Sequence, residues 1–392
     1  MKNKNRNADP GVYPAYPQSA PQQAPQKKKK KGSGLLGRII RRFFLVLFTV
    51  ILLAVAALYL LLNLIFTGPS PAAARVLTMS LTEASATKWV PGVFLDDATI
   101  ASIREVSGQA PDELVSNTSA VVITTDAIGA DSEWENYPDG IRIERVEGDT
   151  YNAHVMIIRD PSRVYLGVSN PNGFTTSVPG KRINQAIEDE GASAAVNAGA
   201  FFDNGKSGPE VGSVPEGLVF SGGQCVWSTG APPNGITGFA GFNYDNILVV
   251  HQENITKAQA EELNIRDGCC FGPVLIMNGE VNMKAYNTNS GLNPRTAIGQ
   301  RSDGAVIFVC IDGRQASSVG GTYADIINIM LEYGAVNACN MDGGSSSVMM
   351  YRDTYGLFGE AGQVTMINNY SLLQSEPRRM PDYWMVAPQK EG

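Results

Sequence analysis

Histidine is nearly missing from this chain: its 392 residues include two, His154 and His251, each inside an apolar strand-like run and away from every glycine-rich segment. That scarcity argues against a histidine-dependent Ser or Cys nucleophile, despite the run Ser345-Ser346-Ser347. No His-Glu-x-x-His stretch and no Cys/His cluster occurs, which argues against a catalytic zinc site. The phosphate-binding Gly-x-x-x-x-Gly-Lys-Ser/Thr pattern is absent too, as is a strand-coupled Gly-x-Gly-x-x-Gly, so nucleotide-binding folds lose ground. The five cysteines are few and odd in number, and no disulfide framework can be read from them. Cys269 and Cys270 are adjacent, without Cys-x-x-Cys spacing. Cys310 and Cys339 each lie in an apolar run, where a buried thiol is the default and a bridge between the two stays open.

What the chain does have is one long apolar stretch. Residues 43–66 read FFLVLFTVILLAVAALYLLLNLIF, without a charge. At about 1.5 Å per helical residue this spans the roughly 30 Å hydrocarbon core. Lys27 to Lys31 and then Arg38, Arg41 and Arg42 precede it. The positive-inside rule therefore expects a cytoplasmic N-terminus, a single-pass anchor in the cell membrane, and the large C-terminal part outside. The stretch is longer than a usual signal-peptide core, although Ala72, Ala73 and Ala74 keep cleavage open as the alternative. Residues 1–26, rich in Pro, Gln, Ala and Tyr, lack the periodic apolar positions that bury a core; the tail over 1–42 is expected to be disordered. It holds eleven Lys/Arg against one Asp, a sum of +10, so with a whole-chain charge of −7 the remainder carries −17. So acidic a remainder argues against nucleic acid as a partner.

Residues 67–118 suggest a membrane-proximal stalk, with Asp96 or Asp97 capping a short helix through Ile103. From 119 to 392 the pattern is strand-rich. AVVITTD, RVYLGVSN, AAVNAGAF, GLVFSGGQCVW, ILVVHQEN and GPVLIMNGEVN are short β-branched or alternating runs parted by turn residues. Hairpins are expected at Gly148-Asp149 and at Ser302-Asp303-Gly304. Helices are expected at INQAIEDEG and at TYADIINIMLEYG, the second with Thr322 and Asp325 as a capping pair and Gly334 as its stop. The fold class is thus α+β: a mixed, strand-rich sheet core with a few inserted helices, preceded by one transmembrane helix.

Four strand ends look least like plain scaffold: AVNAGAFFD (195–203), PRTAIG (294–299), IDGR (311–314) and NMDGGSSSVM (340–349). Each closes an apolar run with small or polar residues, the way a sheet presents a site, though each alone is also a plain turn signal. In this order they resemble the phosphodiester glycosidase family, many of whose bacterial members are labelled exopolysaccharide biosynthesis proteins. The resemblance covers roughly residues 190–388. It comprises Asn197, Gly199, Phe201 and Phe202; Pro215, Gly217 and Leu218; Pro294 through Gly299; Asp312-Gly313-Arg314; Gly320 and Thr322; Asp342 through Ser346; and Arg379 with Pro381. Ala198 and Ser345 stand where the family usually has glycine, which bears on substrate fit more than on fold.

The resemblance implies hydrolysis of the bond between a sugar's anomeric carbon and a phosphodiester, with no cofactor and a divalent ion left open. Asp96, Asp97, Asp131 and Asp203 could ligate calcium or be merely solvated. Such chemistry needs an acid or base and groups that offset phosphate charge. Asp342 is the candidate carboxylate, Arg295 the candidate bidentate phosphate holder and Asn197 a partner for a sugar hydroxyl. Gly199, Phe202, Thr296, Asp312, Arg314, Gly343, Gly344, Ser345 and Arg379 are candidates to bind substrate. Gly343 and Gly344 are read as amide donors to an anion. Asp342 could instead only shape a turn, and Arg295 could pair within the fold. One of Phe201 and Phe202 must be core, because neighbours on a strand point to opposite faces. Glu210 or Glu216 could supply a second carboxylate. The partner expected is a phosphate-linked sugar or envelope glycopolymer. The rival reading is a non-catalytic envelope protein that binds such a polymer in the same groove.

Overall fold

The computed structural model describes residues 34–83, 87–104, 108–123, 134–202, 212–229, 237–288, 290–370 and 376–389. The tail before Gly34, Asp131, Asp203 and Glu210 lie outside them. The chain divides into two units, residues 1–61 and 62–392. The long apolar stretch is helical: α1 spans Leu35–Thr67. It takes in the Arg38, Arg41 and Arg42 flank, and it is long and apolar enough to cross a membrane.

The second unit runs α2 (Pro71–Glu83), α3 (Asp97–Arg104), β1 (Ile141–Glu147), β2 (Asn152–Ile158), β3 (Val164–Val168), α4 (Ile183–Glu190), β4 (Ala194–Asn197), β5 (Leu218–Ser221), β6 (Gln224–Ser228), β7 (Phe239–Asn243) and β8 (Leu248–His251). It continues with α5 (Lys257–Glu262), β9 (Ile265–Cys270), β10 (Val274–Met277), β11 (Glu280–Val281), α6 (Met283–Tyr286), β12 (Arg295–Arg301), β13 (Val306–Ile311), α7 (Tyr323–Glu332), β14 (Ala335–Met341), β15 (Met349–Arg352), β16 (Val364–Met366) and β17 (Asp382–Val386). The strand-rich core with inserted helices is therefore present. It consists of three sheets, ordered β1-β2-β13-β12-β14-β10-β11, β16-β15-β4-β17-β3 and β6-β5-β9-β7-β8. Every described ladder in them is antiparallel.

Both expected hairpins form, β1–β2 closing at Glu147↔Asn152 and β12–β13 at Gln300↔Val306. Thr322 caps α7 by accepting from the Asp325 amide, and Gly334 follows with φ of 81°. Asp96 likewise accepts from the Thr99 amide at 2.7 Å, which makes it an N-cap. The strand expected at Ala120–Asp126 is not there in its described part. Thr118–Ala120 is a single 3-10 turn capped by Asn117, and Val122 reaches the β12–β13 turn through one bond, to the Ser302 carbonyl. A lone bond makes no ladder.

The described residues between 71 and 118 pack along the same unit. The Ser80 hydroxyl accepts from the Leu292 amide at 2.8 Å, Gln252 donates to the Pro111 carbonyl, and Asn278 accepts from the Asn117 amide.

Strand alternation assigns the faces. In β13, Val306, Phe308 and Cys310 point into an interior shared by all three sheets, while Ile307, Val309 and Ile311 pack under α7 with Ile326, Ile327 and Met330. In β17, Trp384 and Val386 enter the shared interior, and Tyr383 and Met385 pack toward Ile183 and Ile187 of α4. Trp384 meets Phe242 edge-on at 5.6 Å. The same two-residue period decides which candidate residues can meet.

Candidate active site

β12 sends neighbouring side chains to opposite layers. Thr296 shares a face with Ile298 and points inward, where its hydroxyl donates to Asn197 Oδ1 at 2.8 Å. Arg295 shares a face with Ala297 and points toward α7. Its guanidinium lies 4.4 Å over the Tyr323 ring and donates to the carbonyls of Gly321, Ser290 and Gly291 at 3.2, 2.5 and 3.1 Å. Arg295 is 5% exposed. The expectation that it holds phosphate beside Asp342 does not fit this placement: it pins the loop before β12 to the start of α7.

Asn197 is fully buried, and its carboxamide is committed to the fold. Oδ1 accepts from Thr296 and from the Val348 amide at 3.1 Å, while Nδ2 donates to the Asp342 carbonyl at 2.6 Å. Instead of meeting a sugar hydroxyl, Asn197 ties the ends of β4 and β14 together and fixes the backbone that carries Asp342. A further bond, from the Asp342 amide to the Ala198 carbonyl, secures the same junction.

Asp342 itself stands half-buried where β14 gives way to a 3-10 turn at Gly344–Ser346. The two glycine amides are not open to an anion, contrary to the sequence reading. Gly343 N donates to Asp342 Oδ1 at 2.9 Å and Gly344 N to the Pro294 carbonyl at 2.9 Å. Glycine is needed at 344 for another reason: φ is 63°, and an added Cβ would sit 3.1 Å from Arg314 Nη2. The exposed Arg314 thus lies over this turn.

A second guanidinium comes from Arg378, which the sequence reading passed over for its neighbour. Arg378 Nη1 donates to Ser345 Oγ at 3.1 Å, and the group rests 4.8 Å over the Phe201 ring. Arg379 turns away to the Gly180 carbonyl. Tyr370 is also new to the site: its hydroxyl donates to the Ser345 carbonyl at 2.5 Å and accepts from the Arg378 amide at 3.1 Å. Burial pushes the Tyr370 hydroxyl above the ordinary phenol value. Asp312 works from behind. Its carboxylate accepts the Asn369 amide and side chain at 3.0 and 2.9 Å, holding the segment that delivers Tyr370, and it is 1% exposed. His154 Nε2 is 3.4 Å from the same carboxylate, so this histidine does adjoin a glycine-rich segment.

Of the paired phenylalanines, Phe201 is buried and Phe202 is 52% exposed. Gly199 permits close approach of β9, since a Cβ there would meet Cys269 Cβ at 2.9 Å. Its amide donates to Asp382 Oδ1 at 2.8 Å. Asp382, at the head of β17, is a carboxylate that no sequence motif flagged; the matched pattern stopped at Pro381. Glu216 is buried, with its amide donating to the Ala200 carbonyl. All five cysteines are free thiols, so Cys310 and Cys339 are not bridged. Among the described residues no group of three His, Cys, Asp or Glu is placed to hold a metal ion.

A family model described as phosphodiester glycosidase matches residues 190–387. A prophage-derived uncharacterized protein of Bacillus subtilis (strain 168), YomE, is 27% identical over 192 residues, which are 48% of this chain and 27% of that protein. The chain thus spans about a quarter of the length of this curated relative. Among solved structures, the pro-peptide-inhibited catalytic domain of zebrafish N-acetylglucosamine-1-phosphodiester α-N-acetylglucosaminidase is similar at 19% identity and TM-score 0.48, over 72% of this chain and 96% of that one. A hypothetical protein from Synechocystis is similar at 16% identity and TM-score 0.41, over 64% and 62%.

Proposed function

The chain belongs to the phosphodiester glycosidase family, and we propose from that premise that it hydrolyses a sugar-1-phosphodiester linkage in envelope or exopolysaccharide material, anchored by α1 with its large unit outside the membrane. The observation that carries this reading is the Asp342 turn, over which Arg314 lies and to which Arg378 is bonded through Ser345. A phosphodiester leaves the anomeric carbon as a stable anion and needs no proton. The groups that matter are therefore cations for the departing charge and a carboxylate for the carbon left electron-poor. Arg314 and Arg378 supply the first, with guanidinium forks suited to phosphate oxygens. Asp342 supplies the second. Exposed Phe202 offers a flat apolar face to a sugar ring. Asn197, Thr296 and Asp312 hold these groups in place without touching substrate.

The test uses the full-length chain in detergent with a panel of sugar-1-phosphodiesters, nucleotide-sugars included, and follows free reducing sugar. Release that disappears in Asp342→Asn supports the reading. A folded wild type that cleaves nothing but retains a glycopolymer through Arg314 and Arg378 replaces it with a binding protein. For the anchor, protease added to intact protoplasts is expected to remove residues beyond about 75 and spare the lysine-rich tail; a C-terminal reporter active in the cytosol would overturn that orientation.

A further inference from the structure

Arg314 keeps a backbone that suits arginine poorly. Its φ is 59°, in the left-handed region, and the other described non-glycine residues there are Asn246, Asn264 and Asn278. Asparagine tolerates that region because its short amide can bond locally, an advantage arginine lacks. Surrounding bonds impose the bend. The Arg314 amide donates to the Val319 carbonyl at 3.0 Å, the amides of Gln315 and Ser318 donate to each other's carbonyls at 3.0 and 3.2 Å, and those of Val319 and Gly320 donate to the Thr150 carbonyl at 2.8 and 3.1 Å. Backbone strain held in this way clusters where a ligand has to be met. Here the bend sends the side chain toward residues 290–295: Arg314 Nη2 donates to Asn293 Oδ1 at 3.3 Å.

Asn293 is a rigid place to hold a long side chain. It is 3% exposed. It exchanges backbone hydrogen bonds with Gly321 at 3.2 and 3.0 Å. The Leu292 amide before it donates to Ser80 Oγ of α2, and Arg295 after it clamps the carbonyls of Ser290, Gly291 and Gly321. The same segment also holds the Asp342 turn, since the Pro294 carbonyl accepts the Gly344 amide at 2.9 Å. It is wedged between the two loops: a Cβ at Gly313 would lie 2.6 Å from Pro294 N, and one at Gly343 2.9 Å from the Pro294 carbonyl oxygen. Residues 293 and 294 thus register the guanidinium against the turn that carries the carboxylate. A neutral carboxamide does this without offsetting the positive charge, whereas a carboxylate in its place would make an ion pair.

We propose that Asn293 is a positioning residue that holds the Arg314 guanidinium over the Asp342 turn with its charge intact, and so fixes where the phosphate of the substrate sits. The inference rests on the hydrolase reading above and deepens it. Freed from Asn293, an exposed arginine regains its rotamers, and each binding event has to order it again.

The experiment is a double-mutant cycle on the full-length chain in detergent, with inorganic phosphate as the probe in titration calorimetry and kcat/KM on whichever sugar-1-phosphodiester wild type cleaves. Asn293→Leu keeps volume and removes the acceptor. Arg314→Gly removes the guanidinium at an exposed position whose φ glycine adopts without strain. Asn293→Leu should weaken phosphate binding and lower kcat/KM about tenfold with Arg314 present, and change each by less than about twofold in the Arg314→Gly background. Asn293→Asp, which keeps shape and acceptor, should lose at least as much as the leucine variant, and it stands in alone if that variant does not fold. Equal losses in both backgrounds, as a merely structural Asn293 would give, overturn the proposal, and so does an Asn293→Asp protein that binds phosphate as wild type does. Coupling in phosphate binding without hydrolysis of any phosphodiester refutes the hydrolase reading and leaves Asn293 positioning Arg314 in an anion site. Additive losses with hydrolysis intact refute the role of Asn293 alone.

Discussion

Replacing Arg295 by lysine separates its two assignments. The guanidinium donates to three backbone carbonyls, of Gly321, Ser290 and Gly291, and covers the Tyr323 ring. A lysine ammonium keeps the charge but lacks the planar fork, so it cannot satisfy the same three acceptors while lying flat on the ring. Hydrogen bonds to a charged group contribute about 1.5–3 kcal/mol each, and losing more than one in a buried setting compounds with the desolvated acceptors left behind. Partial compensation by the ammonium leaves an expected loss of about 2–4 kcal/mol, enough to lower Tm by several degrees in a unit this large. Thermal melting by circular dichroism gives the stability change, and KM measured well below the lowered Tm gives the functional one. The structure calls for a destabilised protein with KM within about twofold of wild type. An unchanged melt together with a KM raised about tenfold, the signature of a lost phosphate contact, would refute the placement of Arg295 on the α7 side.

Asp342→Asn, which keeps shape and removes charge, should lower kcat by roughly 10²–10⁴-fold with substrate still bound, by single-turnover and binding assays; wild-type turnover in the folded variant sinks the assignment. Asp382 has a folded value of about 7 against an ordinary 3.8, so the folded chain holds a proton that the unfolded chain releases. Its contribution is therefore fully present below about pH 4 and is lost as pH rises through about 7, amounting to at most about 4 kcal/mol. Urea unfolding across that window should show Asp382→Asn gaining on wild type as pH rises, and parallel curves would contradict this. Aromatic disulfide reagents should find at most the half-buried Cys225 in the native protein and all five thiols after denaturation; a native count above one would show that the buried cysteines are accessible.

Much of the scaffold can be read from periodicity and turn chemistry. The Gly148-Asp149 and Ser302-Asp303-Gly304 turns, the Thr322 cap and the Gly334 stop are local signals, and each acts where it stands in the chain. Ala120–Asp126 misleads in its described part because β propensity reports fitness for a sheet, and among the described residues no partner strand lies beside Val121 to Ile123. The site is harder. Asp342, Gly344, Ser345 and Arg314 announce themselves as polar or small residues closing apolar runs. Yet two-residue alternation alone could not say which face of β12 looks inward, so Arg295 and Thr296 could be told apart only once α7 was seen to cover one face. Arg378 and Arg379 pose the same problem, and Asp382 hides because its meaning lies in burial, which a one-dimensional pattern does not carry.

The position of β17 has a temporal consequence. This strand pairs with β3 on one side and β4 on the other, joining residues separated by on the order of two hundred positions. It also delivers Asp382 to the Gly199 amide. During synthesis, every other part of the site exists before this strand does. A nascent or prematurely ended chain has a gap in the middle of its second sheet, with the facing edges of β3 and β4 left unpaired. Chains that stop short of β17 are therefore exposed at those two edges to mispairing and proteolysis.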